Sequence, residues 1–235
     1  GVFPGSGTFP TSYTPGGVAN ATRFVGINCF FAAGGAVSSI QNNTIGGIAL
    51  YTSSGASTTF GLICGIAVTS GNANIGTVTG NTIGAVSGGS SIYAASTTAG
   101  GVISGIYCTT TNTINIQNNN IGGIDVSGTT ATQAQGFKGI DAAGTGTYTI
   151  TNNSVGNASA NNIRTGYLLT AGSLSNAATT PTTATGTSAF TGILNSSTGS
   201  NINITNNTLQ GFLMSGSVTT FTGIINTAAV TGNIN

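Results

Sequence analysis

The sequence predicts an all-β fold: a single-stranded parallel β-helix, or β-solenoid, of about five turns of roughly 35–40 residues with one long insertion. Three observations predict it. Two short signals alternate along the 235 residues. The apolar positions are β-branched and nearly alternate, with Gly, Asn, Ser and Thr between them, which suits short strands and corners better than helices. Only 2% of residues are charged, against about a quarter in ordinary soluble domains, while 38% are hydrophobic, enough to form a core.

The first signal is an aromatic or branched residue, one spacer, then Gly-Ile. It occurs as Phe24-Val25-Gly26-Ile27, Ile63-Cys64-Gly65-Ile66, Ile103-Ser104-Gly105-Ile106, Phe137-Lys138-Gly139-Ile140, Phe190-Thr191-Gly192-Ile193 and Phe221-Thr222-Gly223-Ile224. Its isoleucines, Ile27, Ile66, Ile106, Ile140, Ile193 and Ile224, are expected to form one core column.

The second signal is rich in asparagine: IQNNTIGG at 40–47, VTGNTIGA at 78–85, IQNNNIGG at 116–123, ITNNSVGN at 150–157 and ITNNTLQG at 204–211. Anchoring the copies on Asn43, Asn81, Asn119, Asn153 and Asn207 aligns them. Three residues earlier stand Ile40, Val78, Ile116, Ile150 and Ile204; two residues later stand Ile45, Ile83, Ile121, Val155 and Leu209, a second expected core column. The anchors are 38, 38, 34 and 54 residues apart, which places the insertion between the fourth and fifth copies.

If each unit is one turn, its strands stack in register on the previous turn about 4.8 Å away, so Ile packs on Ile and Asn on Asn. The scarcity of charge then has a physical cause. A charged column would hold like charges about 4.8 Å apart along the whole solenoid, each pair costing on the order of 1 kcal/mol even in water.

These residues resemble the right-handed parallel β-helix repeat, whose turns carry a Gly-Ile strand followed by a strand of the form I-x-N-N-x-I. The resemblance covers residues 24–235 and leaves 1–23 as an irregular Pro/Gly-rich lead. It implies that Asn43, Asn81, Asn119, Asn153 and Asn207 form an internal amide ladder. Long turns and Ser/Thr-rich excursions such as TTPTTATGTS at 179–188 depart from the pattern. The chain is also similar to the giant Gly/Thr/Asn-rich surface adhesins and filaments that bacteria export, often by the type IX secretion route. This implies an extracellular or cell-surface location, and as partners further repeats or copies of itself, surface glycans or a secretion and anchoring machinery. The final stretch, 222–235, repeats the course of 191–207 and stops partway through a turn, so a segment of a longer repetitive protein is expected.

The composition narrows the chemistry. Histidine is absent; the cations are Arg23, Lys138 and Arg164, and the acids are Asp125 and Asp141. No cofactor or metal is expected. Glycoside hydrolysis needs paired carboxylates and related lyases need a cation site, so an enzyme is not expected, and Lys138 is read as a loose surface partner of Asp141. Three basic residues without a cluster speak against nucleic acid, and no run of about 18 apolar residues could span a bilayer as a helix.

Cys29, Cys64 and Cys108 fit neither a disulfide framework nor a metal knuckle and read as small core residues. The sequons at Asn20, Asn42, Asn152, Asn157, Asn195 and Asn206 include three by-products of the corner motif and carry no claim of glycosylation.

The expected function is a structural or adhesive stalk or filament, non-catalytic. The alternatives are a carbohydrate-binding module, with Tyr51, Tyr93, Tyr107 or Tyr167 stacking on sugars, and a non-catalytic part of a polysaccharide-degrading enzyme. Lower stands an ice-binding protein, because threonines in excursions such as TTTNT at 109–113 do not line up from unit to unit.

Overall fold

The computed structural model describes residues 12–13, 21–57, 59–86, 91–166, 185–199, 201–216, 218–229 and 231–235, and every regular element in it is a β-strand. Most of the lead 1–23, with Asn20, lies outside the described residues, as do Tyr167 and most of the excursion at 179–188. Four parallel sheets enclose the core. Sheet B stacks β2 (Phe24–Phe30), β6 (Ile63–Ser70), β10 (Val102–Thr110), β14 (Gly136–Gly144), β18 (Thr187–Asn195) and β22 (Val218–Asn226). Sheet C stacks β3 (Ser38–Ile40), β7 (Ala73–Ile75), β11 (Thr113–Gln117), β15 (Thr147–Thr151), β19 (Ile202–Thr205) and β23 (Gly232–Ile234).

Sheet D holds the short strands β4 (Thr44–Ile45), β8 (Thr82–Gly84), β12 (Asn120–Gly122), β16 (Ser154–Val155) and β20 (Thr208–Leu209). Sheet A holds β1 (Ser12–Tyr13), β5 (Ile48–Thr52), β9 (Ile92–Ser96), β13 (Ile124–Gly128), β17 (Ile163–Gly166) and β21 (Phe212–Met214). The chain visits B, C, D and A in each of five turns and B and C again in β22 and β23, which makes the fold a single-stranded parallel β-helix.

Strand pairing places Phe24, Ile63, Ile103, Phe137, Phe190 and Phe221 in one column, so successive turns take 39, 40, 34, 53 and 31 residues. The longest step contains the insertion between β17 and β18. Ile66, Ile106, Ile140 and Ile193 are fully buried, while Ile27 and Ile224, in the end turns, are half-buried against the same core. Across from them Ile45, Ile83, Ile121 and Val155 are buried and Leu209 half-buried.

The two sequence signals meet inside the solenoid. A Cβ on Gly105 would lie 2.5 Å from the Gly139 carbonyl oxygen and 2.8 Å from Ile121 Cγ2; on Gly65 it would lie 2.6 Å from the Gly105 oxygen and 2.7 Å from Ile83 Cγ2. The glycine column of sheet B is therefore the recess that admits the apolar column of sheet D. That is why Gly precedes Ile at Gly26, Gly65, Gly105, Gly139 and Gly192; at Gly223, in the end turn, nothing fills the recess.

One expected column member is corrected. Val78 is 86% exposed, and its place beside Ile40 and Ile116 is taken by the fully buried Ile75. Three extra residues push the corner between β7 and β8 outwards. The bulge is held by the Gln41 side chain, whose Oε1 accepts from the Val78 and Thr79 N–H groups at 3.1 and 3.2 Å and whose Nε2 donates to the Asn74 carbonyl at 3.1 Å. Sequence spacing counted back from Asn81 misplaced the inward position by one loop.

Candidate functional site

The asparagine-rich corner between sheets C and D is the most chemically distinctive feature of the sequence. Its two asparagines do different work. The first of the pair, Asn42, Asn118, Asn152 or Asn206, adopts a left-handed backbone with φ of 55–58°, which turns the chain sharply and which asparagine tolerates better than other side-chain-bearing residues. These four are exposed. The second points inwards: Asn81, Asn119 and Asn153 are buried, with Asn43 and Asn207 half-buried towards the ends.

The inward residues bond along the axis. Asn43 Nδ2 donates to Asn81 Oδ1 at 2.9 Å, and the backbone N–H of Asn43 donates to the same oxygen at 3.0 Å. The same double contact joins Asn81 to Asn119, Asn119 to Asn153 and Asn153 to Asn207. Each Nδ2 beyond the first also donates to a backbone carbonyl of the preceding turn, as Asn119 does to Ile75 at 3.0 Å. An amide oxygen has two lone pairs, and in Asn81, Asn119, Asn153 and Asn207 both are engaged in the fold. These four oxygens hold no free acceptor for a sugar or a cation.

The charged residues lie elsewhere. Asp125 and Arg164 are register neighbours on the outer side of sheet A. Arg164 Nε donates to Asp125 Oδ1 at 2.6 Å and Nη2 to Oδ2, a two-point contact between groups only 7% and 3% exposed. Burial alone would lower the Arg164 pKa, but the bonds to Asp125 and its charge raise it. The sequence did not suggest this pair, because 39 residues separate its members; only their shared column brings them together.

Lys138 Nζ donates to Asp141 Oδ2 at 2.7 Å on sheet B. Asp141 is only 5% exposed, so the expected loose surface pair is corrected to one with a buried carboxylate and a partly exposed ammonium. Each acid is thus engaged by its own cation on a different sheet.

Two of the four tyrosines invoked for sugar stacking are buried. Tyr93 is 2% and Tyr107 7% exposed, and Phe60 meets the Tyr107 ring edge-on at 5.9 Å. Tyr51 is half-buried. Burial raises the pKa of the Tyr93 phenol and also of the Cys64 thiol, the latter to about 12. Cys108 is likewise raised by burial inside the core. Among the described residues no group of three His, Cys, Asp or Glu comes together, and no helix is long and apolar enough to cross a membrane.

Polar side chains do line up where the excursions do not. Thr44, Thr82, Asn120, Ser154 and Thr208 form one outward column on sheet D. On sheet C, Asn115 Nδ2 donates to Asn74 Oδ1 at 2.8 Å, and the Thr151 and Thr205 hydroxyls bond at 3.1 Å. The TTTNT stretch is only in part the excursion expected: Thr109 and Thr110 end β10 and pair with Ala143 and Gly144, whereas Thr113 begins β11 in register with Thr147. The aligned hydroxyls are on strands, a pattern hidden by mixing Thr, Ser and Asn in one column.

Together these features define a parallel β-solenoid whose asparagine chemistry is internal to the fold. No protein-family model, curated protein or solved structure matches the chain.

Proposed function

We propose that the chain is a non-catalytic structural and adhesive segment of a secreted or cell-surface repetitive β-helix protein, serving as a stalk or filament. The observation that supports this most directly is the bonding between turns. Each turn joins the next through parallel strands on all four sheets in the body of the solenoid, and through the asparagine ladder as a fifth line of hydrogen bonds. Such a stack extends by about 4.8 Å per turn and stiffens as turns are added. Its backbone groups are engaged along the axis, which leaves few extended segments open to proteases. Low charge suits an anchored or assembled polymer better than a freely dissolved one.

Electron microscopy of the native protein tests the reading. A straight rod, resistant to limited proteolysis, is expected. A compact globule, or turnover of a polysaccharide that is lost in Asp141→Asn, would overturn it.

A further inference from the structure

At the corner where sheet B hands the chain to sheet C, three successive turns leave a cleft of about 220 Å³ lined by Thr69, Ser70, Thr109, Thr110, Thr111, Gly144 and Thr145. The long strands of sheet B run on past their last inward residues and project hydroxyls there. The floor is fixed: Thr110 Oγ1 donates to the Gly71 carbonyl at 3.2 Å and accepts from the Asn112 N–H at 3.1 Å. Thr109 is half-buried beside it. Thr111 and Thr145 are exposed on the rim. Gly144, at φ +87°, keeps the floor open where a side chain would strike the Thr110 backbone.

From this we infer that the cleft is a binding site for one ring of a neutral, hydroxyl-rich glycan. Its volume is below the roughly 300–1,000 Å³ of pockets that take drug-sized ligands, which suits a single small ring. Its lining offers hydroxyls that both donate and accept, and no charged side chain, so it matches a polyol and gives an anionic sugar no counter-charge. The cleft spans three turns along the axis, and the adjoining outward residues Thr113 and Thr147 of sheet C stand in register with each other. A glycan chain lying parallel to the axis would meet further hydroxyls beyond its first ring. This site rests on the adhesive reading and gives it a ligand class; it uses none of the buried tyrosines.

The test is a glycan array of neutral and anionic oligosaccharides, probed with the native protein and with Thr109→Val/Thr145→Val, a near-isosteric change at one half-buried and one exposed position. Binding to neutral oligosaccharides, weakened about tenfold or more in the variant while its melting temperature stays that of the parent, is the expected result. Binding only to anionic glycans, neutral binding unaffected by the variant, or no binding at all would each overturn the site. A rod in micrographs that binds no glycan would sink the cleft while leaving the stalk standing; a glycan-binding globule would do the reverse.

Discussion

The two sides of the solenoid treat polar groups differently. On sheets A and B the outward positions are largely buried: Ala49, Tyr93, Asp125 and Arg164 on one, Cys64, Ala67, Tyr107 and Asp141 on the other. On sheets C and D the outward positions are Thr, Ser, Asn and Gln that reach solvent. Four of the five charged side chains sit on the covered side, within β13, β14 and β17, and the fifth, Arg23, lies just before β2 and donates to the Gly61 carbonyl at 2.5 Å. None sits on the open side. The contrast teaches that the repeat limits like charges in a column more than it limits charge as such: Asp125 has Arg164 as its column neighbour, never another acid.

The largest expected effect comes from breaking that neighbour pair. Arg164→Leu leaves Asp125 buried without its cation and should cost about 3–5 kcal/mol, measured by denaturant unfolding. Replacing both by Leu should recover much of the loss. Lys138→Ala should cost less than Arg164→Leu, because its ammonium is partly exposed and water can take its place, but more than an ordinary surface pair, because the Asp141 carboxylate is buried. Equal costs for Arg164→Leu and Lys138→Ala would erase the distinction between a fully and a partly covered pair.

Next in size are two internal features shared by both sides. Gly105→Ala places a methyl against the Gly139 carbonyl and Ile121, and overpacking of this kind costs about 1–3 kcal/mol. Gly223→Ala meets nothing within 4 Å and should be nearly silent in the same unfolding experiment. Asn119→Ala removes the Nδ2 bond to Asn153 and the oxygen that accepts from both the Asn81 Nδ2 and its backbone N–H, for an expected loss of about 1–3 kcal/mol. A variant that melts like the parent would show that the ladder adds nothing to stability.

A smaller, pH-dependent effect comes from the buried thiols and phenols. Burial raises the Cys64 thiol to about 12, so the folded state holds this proton more tightly than the unfolded chain does. Its contribution is complete below the ordinary thiol value near 9 and is lost as pH climbs from there towards 12. With histidine absent, melting temperature should be flat between about pH 6 and 8 and fall in strong alkali. In the Cys64→Ala variant the alkaline fall should be shallower. At neutral pH, thiol reagents should leave Cys64 and Cys108 untouched until the protein is unfolded.

How much of this was legible in the sequence follows from what each column contains. The Gly-Ile and Asn columns repeat one residue type at fixed spacing, so the turns, both core columns and the asparagine positions could be read directly. The inward member of each Asn pair was marked as well, by the ladder the resemblance implies; the left-handed turn of its outer neighbour was not, because it lies in the backbone. The Asp125–Arg164 pair and the hydroxyl cleft were invisible for another reason. Both are made by residues of different types, or at different points of unequal turns, that become neighbours only once every insertion has been placed.

The smallest expected effect probes such an insertion. Val78 has the right residue type and the right distance from Asn81 for a core position, yet it stands 86% exposed at the tip of the bulge that Gln41 holds. Val78→Thr should therefore change stability by less than about 0.5 kcal/mol, as surface substitutions do. Ile75→Ala, three residues earlier, should cost about 2–5 kcal/mol because Ile75 fills the column between Ile40 and Ile116. Thermal melts of the two variants decide the register of this turn. If Val78→Thr proved the costlier change, the bulge would be an inward segment, Ile75 would face solvent, and the open side would begin one corner later than the structure places it.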